Sequence, residues 1–214
     1  MTRKIDFYFD FPSPYSYLAH TQLPRITAEH GATVAYHPFR IIELMNIVGN
    51  RPTTIECRNK SKYAGADLQR WTKRYTVDFA RNPDSKSFDF AELDRGALVA
   101  IEDGRGAEYV TAVFAAIWGR PEDLSQRSVL IDVLNRAGLD AQGLLERASA
   151  DTMIAKLESE TKAAAERGVF GAPTMFVGDQ MYFGNDRLDF VVEALRSATQ
   201  GEYTWQSRFA LSVV

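Results

Sequence analysis

Ser13 stands where a serine can act on a sulfur. The stretch Phe9-Asp10-Phe11-Pro12-Ser13-Pro14-Tyr15-Ser16-Tyr17-Leu18 reads as a strand running straight into a helix. Its junction is Ser-Pro-Tyr-Ser, where a dithiol redox centre has Cys-Pro-x-Cys. A helix N-terminus offers unpaired N–H groups and the positive end of the helix dipole, a setting that stabilises a thiolate. The chain brings no thiol of its own to that point, so the sulfur must come from outside. A serine hydroxyl has no useful acidity near neutral pH, but it can donate a hydrogen bond to a sulfur anion. A charge-assisted bond of this kind contributes on the order of 1.5–3 kcal/mol, enough to lower an incoming thiol's pKa by roughly one to two units. Ser13 is equally a good N-cap, and capping alone would account for it.

The second segment of interest is Gly168-Val169-Phe170-Gly171-Ala172-Pro173-Thr174-Met175-Phe176-Val177. Its proline directly precedes a β-rich run. A cis Ala172-Pro173 bond there would present the backbone N–H and C=O of Ala172 beside the Ser13 turn, where an extended peptide can pair as a short added strand. A trans proline opening an edge strand is the other reading. The remaining chemistry-bearing residues are sparse. One cysteine, Cys57, excludes an intramolecular disulfide, a CxxC centre and a Cys-rich zinc site. It lies between Glu56 and Arg58 in a polar stretch and reads as an incidental thiol. His20, His30 and His37 lack metal-ligand spacing, and there is no HExxH or GxSxG. Gly104-Arg105-Gly106 is too little for a nucleotide loop.

These residues need elements to hold them. Residues 5–11 alternate Ile5, Phe7, Phe9 and Phe11 with Asp6, Tyr8 and Asp10, a period of two that predicts a strand. Ser13 and Pro14 then start a helix that runs to about His30, with Pro24 kinking it and Gly31 ending it. Residues 33–37 predict a second strand, parallel to the first because a helix connects them. From about 43 to 168 the spacing is helical: Leu68, Trp71, Thr72 and Tyr75; Tyr109, Val110, Val113, Phe114, Ile117 and Trp118; then 128–137 and 152–167. These stripes read as helical core, and 81–90 has a loop composition. Strands return at 174–177 and 181–183 around a Gly178-Asp179 turn, and a last helix at about 187–197 follows a cap at Asn185 or Asp186. Without the helical block the order is βαβ-ββα. The fold class is therefore α/β and thioredoxin-like, with 1–40 and 168–214 as one domain and 41–167 as an all-helical insertion. The tail after Gly201 carries Tyr203, Trp205 and Phe209 and is expected to pack on something.

The bulk numbers agree with a soluble protein. The chain has 214 residues, is 45% hydrophobic, and carries a net charge of −3 from 25 basic and 28 acidic residues. That balance gives no electrostatic case for nucleic acid or an anionic membrane. No apolar run approaches the roughly 18 residues a membrane span needs, and Asp6 and Asp10 interrupt any leader, so a cytoplasmic location is expected.

The motifs FDFPSPYSYLA, GVFGAPTMFV and FGNDRL, with DLQRW at 67–71 and Ala115-Ala116-Ile117-Trp118, resemble the 2-hydroxychromene-2-carboxylate isomerases and the related kappa-class glutathione transferases. Both are DsbA-like branches of the thioredoxin fold, and the resemblance covers nearly the whole chain. It implies glutathione as cofactor, Ser13 as the catalytic serine holding its thiolate, and Ala172 pairing with its cysteinyl backbone. Phe183, Gly184, Asn185 and Asp186 match the segment that binds the γ-glutamyl end. Asn50 and Lys60 match positions facing glutathione or the acid substrate, and Lys60 with nearby Arg58 can neutralise a carboxylate. Tyr8 is a further candidate to bond the substrate, with core packing as its alternative. The implied reaction is glutathione-dependent conversion of 2-hydroxychromene-2-carboxylate, a small aromatic carboxylate, to trans-o-hydroxybenzylidenepyruvate by a homodimer. The alternatives are a kappa-class-like transferase acting on another electrophile and a non-enzymatic thioredoxin-fold binding module. Two departures stand out: Pro12, where relatives often have another apolar residue, and Asp84-Ser85-Lys86-Ser87, where many have an aromatic-proline stretch lining the second-substrate pocket.

Overall fold

The structure is a computed structural model that describes residues 3–197, so the aromatic tail lies outside the described residues. The chain runs β1 (Arg3–Phe9), α1 (Pro14–His30), β2 (Ala32–Pro38), α2 (Ile41–Val48), α3 (Thr53–Glu56), α4 (Arg58–Tyr75), α5 (Phe90–Glu102), α6 (Gly106–Phe114), α7 (Arg127–Arg136), α8 (Ala141–Ala148), α9 (Asp151–Glu166), β3 (Thr174–Val177), β4 (Gln180–Phe183) and α10 (Leu188–Ser197). A short 3₁₀ turn at Ser85–Ser87 interrupts the expected loop before α5, and a π turn at Ala115–Gly119 extends α6. The strands form one sheet in the order β2-β1-β3-β4, with β1 parallel to β2 and antiparallel to β3. β3 and β4 are an antiparallel hairpin around Gly178 in the left-handed region at φ +60°. This is the expected βαβ-ββα order, with α2 to α9 between β2 and β3.

The alternation in β1 has a different consequence from the usual half-buried strand. Ile5, Phe7 and Phe9 enter a core shared with α1, α5 and α6, and that core continues through the helical block to Leu134 and Leu145. Tyr8, on the other face, joins Phe39, Leu44, Ala164, Val169 and Phe176 beneath α2 and α9. Both faces of β1 are therefore covered, and even Asp6 is nearly enclosed. The central strand is fixed from two sides, and so is the turn it feeds.

α1 begins and ends as its sequence dictates. Ser13 caps it with φ −88° and ψ 108°, Pro14 opens it where no N–H is needed, and Gly31 closes it in the left-handed region. The helix continues through Pro24.

Candidate active site

Ser13 is reached from β1 by a tight turn. Its N–H donates to Asp10 O at 3.1 Å. Its Oγ accepts from the Ser16 N–H at 3.2 Å and donates to Ala172 O at 3.3 Å. The last contact is long for a hydroxyl bond. The hydroxyl proton is therefore held loosely and can be redirected to a better acceptor, while the lone pair stays committed to the helix. The Ala172-Pro173 peptide is cis, as the cis reading of that segment expects.

The cis-proline loop forms one wall. Pro173 O accepts the Gly184 N–H at 2.9 Å, which ties the end of β4 to the loop. Phe170 and Phe183 pack with ring centroids 4.6 Å apart. Gly171 between them leaves the room: a Cβ there would stand 2.8 Å from a Phe183 ring carbon. Asn50, just past the left-handed Gly49 that ends α2, donates from Nδ2 to Phe170 O at 2.8 Å. Asn50, Phe170, Ala172 and Phe183 are thus one connected wall running from α2 to β4.

α4 supplies the other side. Tyr15, the variable residue of Ser-Pro-Tyr-Ser, donates to Asp67 Oδ2 at 3.3 Å. Burial, then the Asp67 charge and hydrogen bond and the more distant charge of Asp186, push its phenol up to about 12, so it remains a neutral donor. Tyr75 donates to Asn185 O at 2.9 Å, pinning the start of the last helical segment. Asp186 is ion-paired with Arg187. Asn185 is 3% exposed, and its Nδ2 has no hydrogen-bond partner among the described residues.

The remaining expected site residues divide. Lys60 is exposed on α4, seven residues before Asp67. That spacing puts it on the Asp67 face, about 10 Å further along the axis. Arg58, nine residues before Asp67, falls roughly 180° round the helix. It lines a surface groove with Glu56, Asn59, Ser61 and Lys62. Of the two cations expected to clamp a carboxylate, Lys60 or Arg58, the helical spacing puts Lys60 on the Asp67 face and Arg58 on the opposite one. Tyr8 is drawn away too: its ring stacks on His37 at 4.5 Å and its hydroxyl meets Arg167 Nη1 at 3.0 Å, so its contacts are those of the packing alternative. Cys57 is exposed at the start of α4. No group of three or more metal-ligating side chains occurs among the described residues.

Residue type and spacing alone do not single out Tyr15, Asp67, Phe170 and Tyr75 as members of the site. Tyr15 carried a signal, since it lies inside the Ser-Pro-Tyr-Ser turn. Tyr75 read only as part of a helical stripe, because a hydroxyl at the edge of an apolar face leaves no trace in the spacing.

The donor set suits a peptide-like thiol: a redirectable hydroxyl at a helix N-terminus, a strand-like backbone at Ala172 and an orphaned buried amide at Asn185. A DSBA-like thioredoxin domain model matches residues 4–196. A 2-hydroxychromene-2-carboxylate isomerase of Sphingobium xenophagum is 38% identical over 192 residues, covering 89% of this chain and 97% of that protein. Glutathione S-transferase kappa 1 of Homo sapiens is 27% identical over 225 residues, covering 94% of each. Among solved structures, that of 2-hydroxychromene-2-carboxylate isomerase (HCCA isomerase) superposes with a TM-score of 0.83 at 32% identity, covering 92% of this chain and 96% of that one.

Proposed function

The chain belongs to the DSBA-like thioredoxin domain family, on its 2-hydroxychromene-2-carboxylate isomerase branch, and we propose that it converts 2-hydroxychromene-2-carboxylate to trans-o-hydroxybenzylidenepyruvate with glutathione as cofactor. The observation that carries this reading is the loosely held Ser13 hydroxyl proton facing the Ala172 carbonyl. Glutathione, when bound, supplies the thiolate that adds reversibly to the substrate's conjugated double bond, frees it to rotate, and is then returned unchanged.

The chain's own residues do the rest. Ser13 turns its hydroxyl from Ala172 O to the sulfur and, with the first turn of α1, holds the thiolate as an anion. Ala172 offers its backbone to the cysteinyl unit as a strand partner. Phe183, Gly184, Asn185 and Asp186 receive the γ-glutamyl end: Asp186 suits its ammonium, and the Asn185 amide lacks an acceptor. Asn50 positions the Phe170 wall, and Lys60 on the Asp67 face supplies positive charge for a carboxylate. Tyr8 and Arg58 fall outside this arrangement. The same reading takes the protein as a cytoplasmic homodimer in aromatic-compound degradation, and sedimentation velocity tests the dimer.

The deciding experiment follows chromene carboxylate absorbance with no glutathione and with a catalytic amount, then measures glutathione at the end. Isomerisation that needs glutathione and leaves its concentration unchanged is expected. Stoichiometric loss of glutathione would move the protein to the transferase reading that its kappa-class relatives support.

A further inference from the structure

Two carboxyls lie buried behind the Ser13 turn. Asp10, in the turn itself, is 2% exposed, and Asp94, on α5, is fully buried. They are close enough to perturb each other's ionisation. Asp10 Oδ1 and both Asp94 oxygens have no hydrogen-bond partner among the described residues, although buried polar atoms are nearly always paired. Two carboxylates can only accept and repel each other. One neutral acid beside one carboxylate makes a donor and an acceptor, and satisfies both. Burial drives the proton on: it pushes Asp10 up to about 7, and burial with the Asp10 charge raises Asp94 well above the usual carboxylate range.

The other charged and titratable groups around the pair leave that proton needed. Arg40, ahead of α2, and Arg95, beside Asp94 on α5, act on the pair through their charge. Arg95 is committed to Ala148 O at 2.8 Å and lies 3.9 Å from Asp89. Arg40 lies 3.9 Å from Glu43. Tyr109 on α6 faces Asp94 but donates its hydroxyl to Leu93 O at 3.0 Å, and Arg127 pairs with Glu92. Asp10 meanwhile joins two parts of the site. Its backbone O accepts the Ser13 N–H at 3.1 Å, and its Oδ2 accepts the Ile41 N–H at 2.7 Å. Ile41 is the first residue of α2, whose far end leads into Asn50 and the Phe170 wall.

We propose that Asp10 and Asp94 share one proton and act as positioning residues, locking the Ser13 turn, the start of α2 and α5 into one unit that sets the thiolate site. The proposal rests on the reading of Ser13 as the donor to a bound thiolate. An amide in place of the Asp94 acid keeps one donor and one acceptor; a methyl leaves Asp10 buried and alone.

The test uses the full chain with two readouts. Infrared spectra of the free protein at about pH 8, above the range in which Asp10 itself takes a proton, should contain a carboxylic-acid C=O band that Asp94→Asn removes. Ultraviolet titration of bound glutathione should show Asp94→Asn binding within about threefold of wild type, with the thiol still acidified, and Asp94→Ala binding at least tenfold more weakly. The wild type should also lose affinity at alkaline pH more steeply than Asp94→Asn, because the γ-glutamyl ammonium titrates in both and the shared proton leaves only in the wild type. Spectra that keep the acid band in Asp94→Asn, or two variants that bind alike, would overturn the shared proton. A wild-type protein that binds no glutathione would instead overturn the reading of the site and the positioning role with it.

Discussion

The Ser13 hydroxyl performs two acts that a substitution can separate. Its lone pair caps α1 through the Ser16 N–H, and its proton is free for redirection because Ala172 O holds it only at 3.3 Å. Glycine is tolerated at an N-cap at a cost of a few tenths of a kcal/mol, whereas alanine costs about 1 kcal/mol. Ser13→Gly should therefore lose the hydrogen bond to sulfur with little loss of stability. A lost bond of about 1.5–3 kcal/mol predicts a fall in turnover of roughly 10- to 100-fold. Ser13→Ala should show the same fall with Tm lower by a further ~2–4 °C. Steady-state kinetics and calorimetry on both variants check this, and near-normal turnover in either would remove Ser13 from the chemistry. The same scale shows what type and spacing miss. Tyr8 and Arg58 have suitable groups, but strand alternation sends Tyr8 toward Arg167 and helical periodicity turns Arg58 away from Asp67.

At the scale of elements, the site is a meeting of α1, the cis-proline loop, the end of β4 and the loop after α2. The first and last helices, the parallel β1–β2 pair and the β3–β4 hairpin were all legible, because caps, periodicity and a Gly-Asp turn are local signals. The links between them were not. Nothing near Asn50 announces Phe170 O, 120 residues away, and nothing near Tyr75 announces Asn185 O. Such contacts depend on how α2 packs against α9 and the Phe176 face of the sheet and how α4 packs against α1, which spacing within one helix does not encode. Gly171 tests the loop wall. A Cβ added there meets Phe183 ring carbons at 2.8 and 3.3 Å, and the ring is partly exposed, so it can swing outward. Gly171→Ala should thus cost little stability, about 1 kcal/mol, yet break the Phe170–Phe183 pair. Glutathione affinity measured by calorimetric titration should fall about five- to tenfold. An unchanged affinity would show that the Phe183 wall does not contact the thiol ligand.

For the whole molecule, the buried titratable groups set opposing pH dependences. Burial raises Asp10 from 3.8 to about 7, and burial with the Asp10 charge raises Asp94 well above its ordinary value. A group that binds its proton more tightly when folded stabilises fully below its unfolded value and loses that contribution as pH rises through the folded one. His20 runs the other way. Burial lowers it from 6.5 to about 4, so its contribution is present above 6.5 and is lost as pH falls toward 4. His37, also lowered chiefly by burial, acts in the same direction. Between about pH 4 and 6.5 the two slopes oppose each other and stability should change little. Above 6.5 the histidines are neutral in both states, and only the carboxyl pair continues to draw stability down. Calorimetry from pH 5 to 8.5 should give a near-level Tm up to about 6.5 and then a decline on the order of 5 °C. Asp94→Asn should flatten the decline, since an amide does not titrate, and His20→Gln should replace the level region with a fall already under way at about pH 5. A wild-type Tm that rises through pH 8 would mean that the pair is ionised throughout, and its orphaned oxygens would then need a different partner.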